Sequence, residues 1–132
     1  IPERDGLLAG LIILDLMTST GEKISNLLSK LYKIVGPHSY HRLDIPFDNA
    51  RRNEILNHLE NMHPNEIAGL KVLKKDNIDG YKFTLADDWW LLIRLSGTEP
   101  LIRIYAEMSN IALVNKALDE GQKLLLDNNY KN

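Results

Sequence analysis

The sequence contains no cysteine, and this absence excludes two kinds of site. None of its 132 residues offers a thiol that could form a disulfide or ligate zinc. A strong basic excess is missing as well, because the formal net charge is -2 and the pI is about 6.1. Proteins that bind nucleic acid or membrane surfaces usually carry a basic face, so the composition argues against both partners.

No apolar stretch is long enough to span a membrane. The most apolar one, Leu7 to Leu14, lies between Asp5 and Asp15, whereas about 20 apolar residues are needed to cross a bilayer. These acidic residues and the lack of a small-residue cleavage site also argue against a signal peptide. We therefore expect a cytoplasmic protein. Because the chain begins with Ile1, we interpret it as a piece of a longer protein.

The stretch from Trp89 to Met108 has the pattern of two strands joined by a tight loop at Ser96–Pro100. Apolar residues alternate in both arms, which is the period-two signature of paired, half-buried strands. The alternating sets are Trp89, Leu91, Ile93 and Leu95 in the first arm, and Ile102, Ile104, Ala106 and Met108 in the second.

This alternation places Arg94 and Arg103 together on the opposite face of the hairpin, near the base of the loop. In the register that sets Leu95 across from Ile102, the two arginines are direct neighbours, and like charges in that position destabilise a hairpin. An anion between them would remove the repulsion, and phosphate suits the hydrogen-bonding geometry of guanidinium groups. We therefore interpret the pair as part of a phosphate site.

The loop supplies the remaining parts of such a site. Gly97 allows the backbone N–H groups to approach a ligand closely, and Ser96 and Thr98 add hydroxyl donors. We interpret Glu99 as the ion-pair partner of one of the two arginines, and as a support of the loop together with Pro100. The alternative is a surface hairpin with scattered charges.

The run Arg-Leu-Ser-Gly-Thr-Glu-Pro-Leu-Ile-Arg-Ile-Tyr-Ala-Glu, from Arg94 to Glu107, resembles the phosphate-binding loop of the α-D-phosphohexomutases. These enzymes interconvert sugar 1-phosphates and 6-phosphates, and the loop lies in their C-terminal domain. Residues 1–35 are similar, less sharply, to the end of that family's third domain, and the chain from about Ser39 is similar to its fourth. The resemblance implies a preceding-domain piece at 1–37 and a C-terminal phosphate-binding domain at 38–132.

The resemblance also implies a division of labour. The fourth domain holds the phosphate that does not react, whereas the catalytic serine, the magnesium-binding aspartates and the sugar-binding loop belong to domains absent from this chain. We thus expect no catalytic residue and no metal ligand here, with Mg²⁺ bound elsewhere and a hexose 1,6-bisphosphate as intermediate. The predicted phosphate-binding residues are Arg94, Ser96, Gly97, Thr98 and Arg103, with Glu99 and Pro100 as loop support.

Other assignments fit parts of this pattern. Tyr105 favours the phosphomannomutase and phosphoglucomutase branch over a phosphoglucosamine mutase, whose loop is similar. A stand-alone phosphate- or anion-binding module is a further possibility, whereas nucleic-acid binding on an open sheet face is disfavoured by the acidic pI. His38 and His41 have no carboxylate spaced to complete a metal site, and no histidine is placed to activate Ser96 or Thr98 as a nucleophile.

The periodicity of the remaining chain predicts an α+β fold, in which one antiparallel sheet carries two helices on a single face. From Ser39 the predicted order is β-α-β-β-β-β-α, which agrees with the fourth domain and its TATA-box-binding-protein-like arrangement. Two helices precede it. The first, from Asp5 to about Thr18, is apolar almost all round, which is typical of a helix buried between layers. Only the next helix is available to cover it, so we expect part of its partner to lie outside this chain. The second is expected to begin at a capping box, Ser19–Glu22, and to end at Gly36.

Overall fold

The computed structural model describes residues 5–126, and the chain forms two compact units, Ile1–Pro37 and His38–Asn132. The helices are α1 (Gly6–Thr20), α2 (Ile24–Val35), α3 (Arg52–Asn61) and α4 (Ile111–Leu126). The strands are β1 (Ser39–Pro46), β2 (Glu66–Ile67), β3 (Leu70–Asp76), β4 (Tyr81–Leu85), β5 (Trp90–Leu95) and β6 (Leu101–Met108). Short 3₁₀ turns occupy Asn49–Arg51 and Ala86–Asp88.

The first unit contains the two predicted helices. Asp5 caps α1 by accepting a hydrogen bond from the backbone N–H of Leu8 at 2.9 Å, and Gly21 ends that helix with a left-handed φ of 67°. The predicted capping box for α2 is wrong, because Lys23 is the N-cap and makes no side-chain capping bond. The hydroxyl of Thr20 instead donates to the Leu16 carbonyl at 2.7 Å, so it closes the end of α1.

Helix α1 is exposed in the described part of the chain, in agreement with the expectation that part of its cover lies outside this chain. No residue of this helix is buried, and Leu7 and Ile12 are 75% and 59% exposed. A helix that is apolar all round needs cover on every side, which a unit of two short helices does not provide. No helix in the described part of the chain is long and apolar enough to cross a membrane.

The second unit is a six-stranded antiparallel sheet with the order β1-β6-β5-β4-β3-β2. The predicted α+β class is confirmed, and β3 to β6 form the expected meander. One strand was missed, because β2 contains only two residues and so carries no periodicity. As a consequence of this order, β5 and β6 both lie inside the sheet, with hydrogen-bonded neighbours on each side.

The core lies on one face of this sheet, where α3 and α4 both contribute to a single cluster of buried side chains. Gly121 of α4 lies so close to the sheet that an added Cβ would be 3.1 Å from Leu91 and 3.2 Å from Ile104. The largest members of the cluster are Phe83, Ile55, Leu59, Ile67, Leu85, Leu91, Ile93, Ile104, Met108, Leu125 and Val114. Both helices therefore cover the same face, as predicted.

Lys75 fixes the end of α3 to the sheet. Its Nζ donates to the carbonyl oxygens of Leu59 at 2.7 Å and Met62 at 3.0 Å, at the C-terminus of the helix, where the last carbonyls have no partner four residues further on. Burial lowers the pKa of Lys75, an effect that Glu60 partly opposes. This attachment fixes the C-terminal end of α3 to β3.

Gly80 is required at the turn between β3 and β4, directly before Tyr81. Its φ is 104°, and an added Cβ would lie 2.8 Å from the Ile93 carbonyl oxygen and 3.0 Å from the Arg94 Cβ. We predict that Gly80→Ala destabilises the second unit by roughly 1–3 kcal/mol, because both the backbone conformation and the close contact penalise a side chain.

Urea unfolding followed by tryptophan fluorescence checks this prediction, since both tryptophans of the sequence, Trp89 and Trp90, lie in the second unit. Gly97→Ala is the matched control, because an added Cβ at Gly97 meets nothing within 4 Å. The control should change the unfolding free energy by less than about 0.5 kcal/mol. Equal destabilisation by the two variants would contradict the prediction.

Candidate functional site

The β5–β6 hairpin has the register predicted from its alternation. Leu95 pairs with Ile102, and Arg94 pairs with Arg103. Residues Ile93 and Ile104 of the alternating sets are buried in the core. The two arginines consequently lie on the open face of the sheet, opposite to the helices.

Aromatic side chains share this open face, because Trp90, Leu92 and Tyr105 alternate in step with Arg94 and Arg103 along the two strands. Tyr40 of β1 stacks on Tyr105 with ring centroids 6.4 Å apart and lies 6.3 Å from Trp90. Lys82 of β4 lies over the Trp90 ring at 5.3 Å. The open face is thus partly apolar, and its charged end lies beside the loop.

Each arginine of the pair has its own carboxylate. Glu99 accepts from Arg103 Nη2 at 2.6 Å, which confirms the predicted pairing of Glu99 with an arginine. Asp79 accepts from Arg94 Nη1 at 3.0 Å, a partner that the sequence did not reveal because it lies in the turn between β3 and β4. These two carboxylates relieve the repulsion between the arginines, so an anion is not required to explain their juxtaposition.

Arg103 is charged, as guanidinium groups in proteins always are, and its surroundings favour the charged form further. Partial burial lowers the pKa of this guanidinium, but contacts with Tyr105 and Glu99 raise it by more, and the net shift is upward. Its Nε is buried without a hydrogen-bond partner in the described part of the chain. Arg103 is therefore a permanent positive charge held close to the loop.

Hydrogen bonds within the loop fix its shape. Ser96 is only 4% exposed. Its N–H donates to the Leu101 carbonyl at 2.8 Å, and its hydroxyl accepts from the Glu99 N–H at 3.3 Å. The N–H of Leu101 donates to the Glu99 carbonyl at 2.8 Å. Ser96 thus shapes the loop, and its hydroxyl hydrogen remains available as a donor.

Gly97 and Thr98 form the exposed tip of the loop. The φ of Gly97 is not in the left-handed region, and an added Cβ would meet nothing within 4 Å. Neither backbone conformation nor packing therefore explains a glycine here. The sequence suggested that a glycine at position 97 lets a ligand approach the backbone N–H groups closely, and this explanation stays a prediction.

The loop forms one wall of a cavity of about 250 Å³. Its lining residues are Asn49, Arg52, Ser96, Gly97, Thr98, Glu99 and Pro100. Five of the seven predicted site residues therefore lie together in the wall of the cavity, whereas Arg94 and Arg103 do not line it. Asn49 and Arg52 were missed, because nothing in the sequence shows that the start of α3 meets a loop more than 40 residues later.

The histidines do not form a metal site with other side chains in the described residues. Among residues 5–126 no three His, Cys, Asp or Glu side chains are grouped so that they could hold an ion. His38 Nδ1 instead lies 2.6 Å from Glu107 Oε1, and its ring meets the Trp89 ring edge-on at 5.0 Å. This contact ties the beginning of the second unit to β5 and β6.

The α+β fold, with a polar loop between two central strands, agrees with the C-terminal domain that the resemblance of residues 94–107 implies. The sequence model for the phosphoglucomutase/phosphomannomutase C-terminal domain matches residues 54–123, which is more than half of the chain. The chain therefore belongs to the phosphohexomutase family.

Curated relatives agree with this assignment. The chain is 28% identical to a probable phosphoglucosamine mutase of Pyrococcus horikoshii, over 92% of its own length and 25% of the relative's. It is 32% identical to a phosphoglucosamine mutase of Methanococcus aeolicus, over 93% and 25%. It is 34% identical to a phosphoglucomutase/phosphomannomutase of Thermococcus kodakarensis, over 92% and 24%. The chain spans about a quarter of the length of these relatives.

The geometry of the loop leads to a first test of the site. We predict that Ser96→Ala destabilises the second unit by roughly 1 kcal/mol, because the Glu99 N–H loses its acceptor. Amide hydrogen exchange should accelerate at Glu99, as measured by NMR. Thr98→Ala is the control, since its hydroxyl is exposed, and it should change neither quantity. Unchanged exchange at Glu99 in Ser96→Ala would show that the hydroxyl does not shape the loop.

Proposed function

We propose that this chain is the C-terminal part of a phosphohexomutase that interconverts hexose 1-phosphates and 6-phosphates. In this proposal residues 1–37 end the third domain, and residues 38–132 are the fourth domain, which binds the phosphate that does not react. The observation that carries the proposal is the cavity walled by the loop Ser96–Pro100, with Arg94 and Arg103 paired beside that loop.

The size of the cavity supports a phosphate group as the ligand of this part. Pockets that enclose whole drug-sized ligands measure roughly 300–1,000 Å³, and this one, at about 250 Å³, is smaller. A phosphate would accept hydrogen bonds from the Gly97 backbone and the Ser96 and Thr98 hydroxyls. The sugar would then extend out of the cavity toward other parts of the complete protein.

Such a site contributes to catalysis by positioning. Binding energy from the remote phosphate orients the reacting hydroxyl group. A site that contacts the phosphate and not the ring accepts the sugar bisphosphate in either orientation, which a mutase requires when its intermediate turns round. The phosphoryl-carrying serine and the Mg²⁺ of this proposal belong to parts of the protein outside this chain.

Two observations support the view that the chain is one part of a larger protein. It spans about a quarter of the length of its relatives, and α1 is apolar without having a buried residue. Exposed apolar surface of this kind usually marks a contact with another part of a protein. We propose that the preceding domains provide that contact, and that the complete protein is cytoplasmic.

The identity of the sugar is a separate question, and a phosphoglucosamine mutase is the second candidate. Tyr105, which favoured the phosphomannomutase and phosphoglucomutase branch, stacks on Tyr40 and does not line the cavity. Two of the three relatives described above are named phosphoglucosamine mutases. Comparing glucosamine, glucose and mannose 1-phosphates as substrates of the complete protein decides between the branches, and no turnover of any of them would favour a stand-alone anion-binding module.

The phosphate site can be tested on the 132-residue chain itself. We predict that glucose 6-phosphate and inorganic phosphate bind with dissociation constants on the order of millimolar, because a few charge-assisted hydrogen bonds supply the affinity, and that glucose does not bind. Arg94→Ala should weaken binding roughly ten-fold or more. Amide shifts at residues 96–100 measure the affinity by NMR.

Arg42→Ala is the matched control for this titration. Arg42 lies on β1, pairs with Asp44 at 2.8 Å and does not line the cavity, so its removal makes the same change of net charge at a residue outside the cavity. The control should bind phosphate with nearly unchanged affinity. Absence of any phosphate-dependent shift at residues 96–100 in the unmodified chain would overturn the proposed function.

The ion pair between Arg94 and Asp79 generates a second test. We predict that Asp79→Asn tightens phosphate binding roughly two- to five-fold at low salt, because a carboxylate near an anion costs about 1 kcal/mol at 4 Å in water. The gain should shrink as salt screens the charges. Asp119→Asn on α4, on the opposite face of the sheet, makes the same change of charge and should have no effect. Weaker phosphate binding by Asp79→Asn would mean that Asp79 holds Arg94 in its binding position.

A further inference from the structure

Arg52, at the start of α3, is the basic residue that lines the cavity. Its Nη1 donates a hydrogen bond to the Ser96 carbonyl oxygen at 3.1 Å. Ser96 is the first residue of the loop, so this contact connects the helix layer directly to the loop. Arg94 and Arg103 approach the same loop from the open face of the sheet.

Arg52 differs from the other arginines of residues 5–126, because its charge is not paired with a carboxylate. Four ion pairs involve the remaining arginines of the described part of the chain: Arg42 with Asp44, Arg51 with Glu54, Arg94 with Asp79, and Arg103 with Glu99. Within residues 5–126 no carboxylate lies within ion-pair distance of Arg52. A half-buried positive charge of this kind at a cavity favours an anionic ligand.

The hydrogen-bonding capacity of Arg52 leads to the same conclusion. A guanidinium group has five N–H donors, and Arg52 uses one of them on the Ser96 carbonyl among the described residues. The remaining donors can serve a ligand. The hydrogen bond from Arg52 also partly neutralises the partial negative charge of the Ser96 carbonyl oxygen. That charge would otherwise repel an anion in the cavity.

We propose that Arg52 is a ligand of the phosphate bound in the cavity, in addition to the residues of the loop. The proposal rests on the proposed function of this loop as a phosphate site. In this arrangement the phosphate lies between the loop and the start of α3, while Arg94 and Arg103 contribute their charge from the open face. Arg52 is thus a substrate-binding residue and takes no part in phosphoryl transfer.

The test is an NMR titration of the 132-residue chain with inorganic phosphate, using three variants. Arg52→Gln removes the charge, and Arg52→Lys keeps the charge without the planar fork. Arg51→Gln is the matched control, because Arg51 is adjacent in sequence but pairs with Glu54 and does not line the cavity.

We expect Arg52→Gln to raise the phosphate dissociation constant roughly ten- to a hundred-fold, as loss of a charge-assisted contact does. Arg52→Lys should show a smaller increase, and Arg51→Gln should stay within about two-fold of the unmodified chain. The salt dependence of phosphate binding should also become shallower in Arg52→Gln, because one of the interacting charges has been removed.

Three other outcomes would overturn the proposal. If Arg52→Gln binds phosphate normally while Arg94→Ala does not, Arg52 is no ligand and the proposed function stands. If the unmodified chain binds no phosphate, the proposed function and the role of Arg52 fail together. If Arg52→Gln and Arg52→Lys weaken binding equally and both shift the amides of residues 96–101 in the absence of phosphate, Arg52 only supports the loop.

Discussion

The antiparallel pairing of β5 with β6 is the interaction on which the candidate site depends. Its register fixes which side chains enter the core and which reach the open face, and a slip of one residue would exchange the two sets. The buried partners Ile93 and Ile104 hold this register. Because both strands have hydrogen-bonded neighbours on each side, the loop between them is supported by the most constrained part of the sheet.

Charge at the site is arranged so that the protein is stable without a ligand. Asp79 and Glu99 each hold one arginine of the pair, and both ion pairs are partly exposed, so each contributes little to stability. Weak pairs of this kind can be rearranged by an arriving anion at small cost. This arrangement suits the reversible phosphate binding that we propose for the loop.

Features that depend on local pattern could be predicted from the sequence. Alternation predicted the β5–β6 hairpin with the Arg94–Arg103 pairing, and helical periodicity predicted α3 and α4 on one face of the sheet. Features that depend on contacts distant in sequence could not. The pairing of Asp79 with Arg94 and the contact of Arg52 with Ser96 arise only when the sheet and the helix layer have assembled. The two-residue β2 and the N-terminus of α2 were missed because their sequence signals are too short or fit two conformations.

The order of the strands also constrains how the second unit assembles during synthesis. Strands β3 to β6 pair with their immediate predecessors, so each can form soon after it emerges from the ribosome. β1 is made first but pairs with β6, where Ser39 meets Met108, and it must wait until nearly the whole unit has been made. The outer side of β6 is an unpaired strand edge until then. Since such edges promote association between chains, the interval before β1 docks is the period in which a nascent chain is most exposed to misassembly.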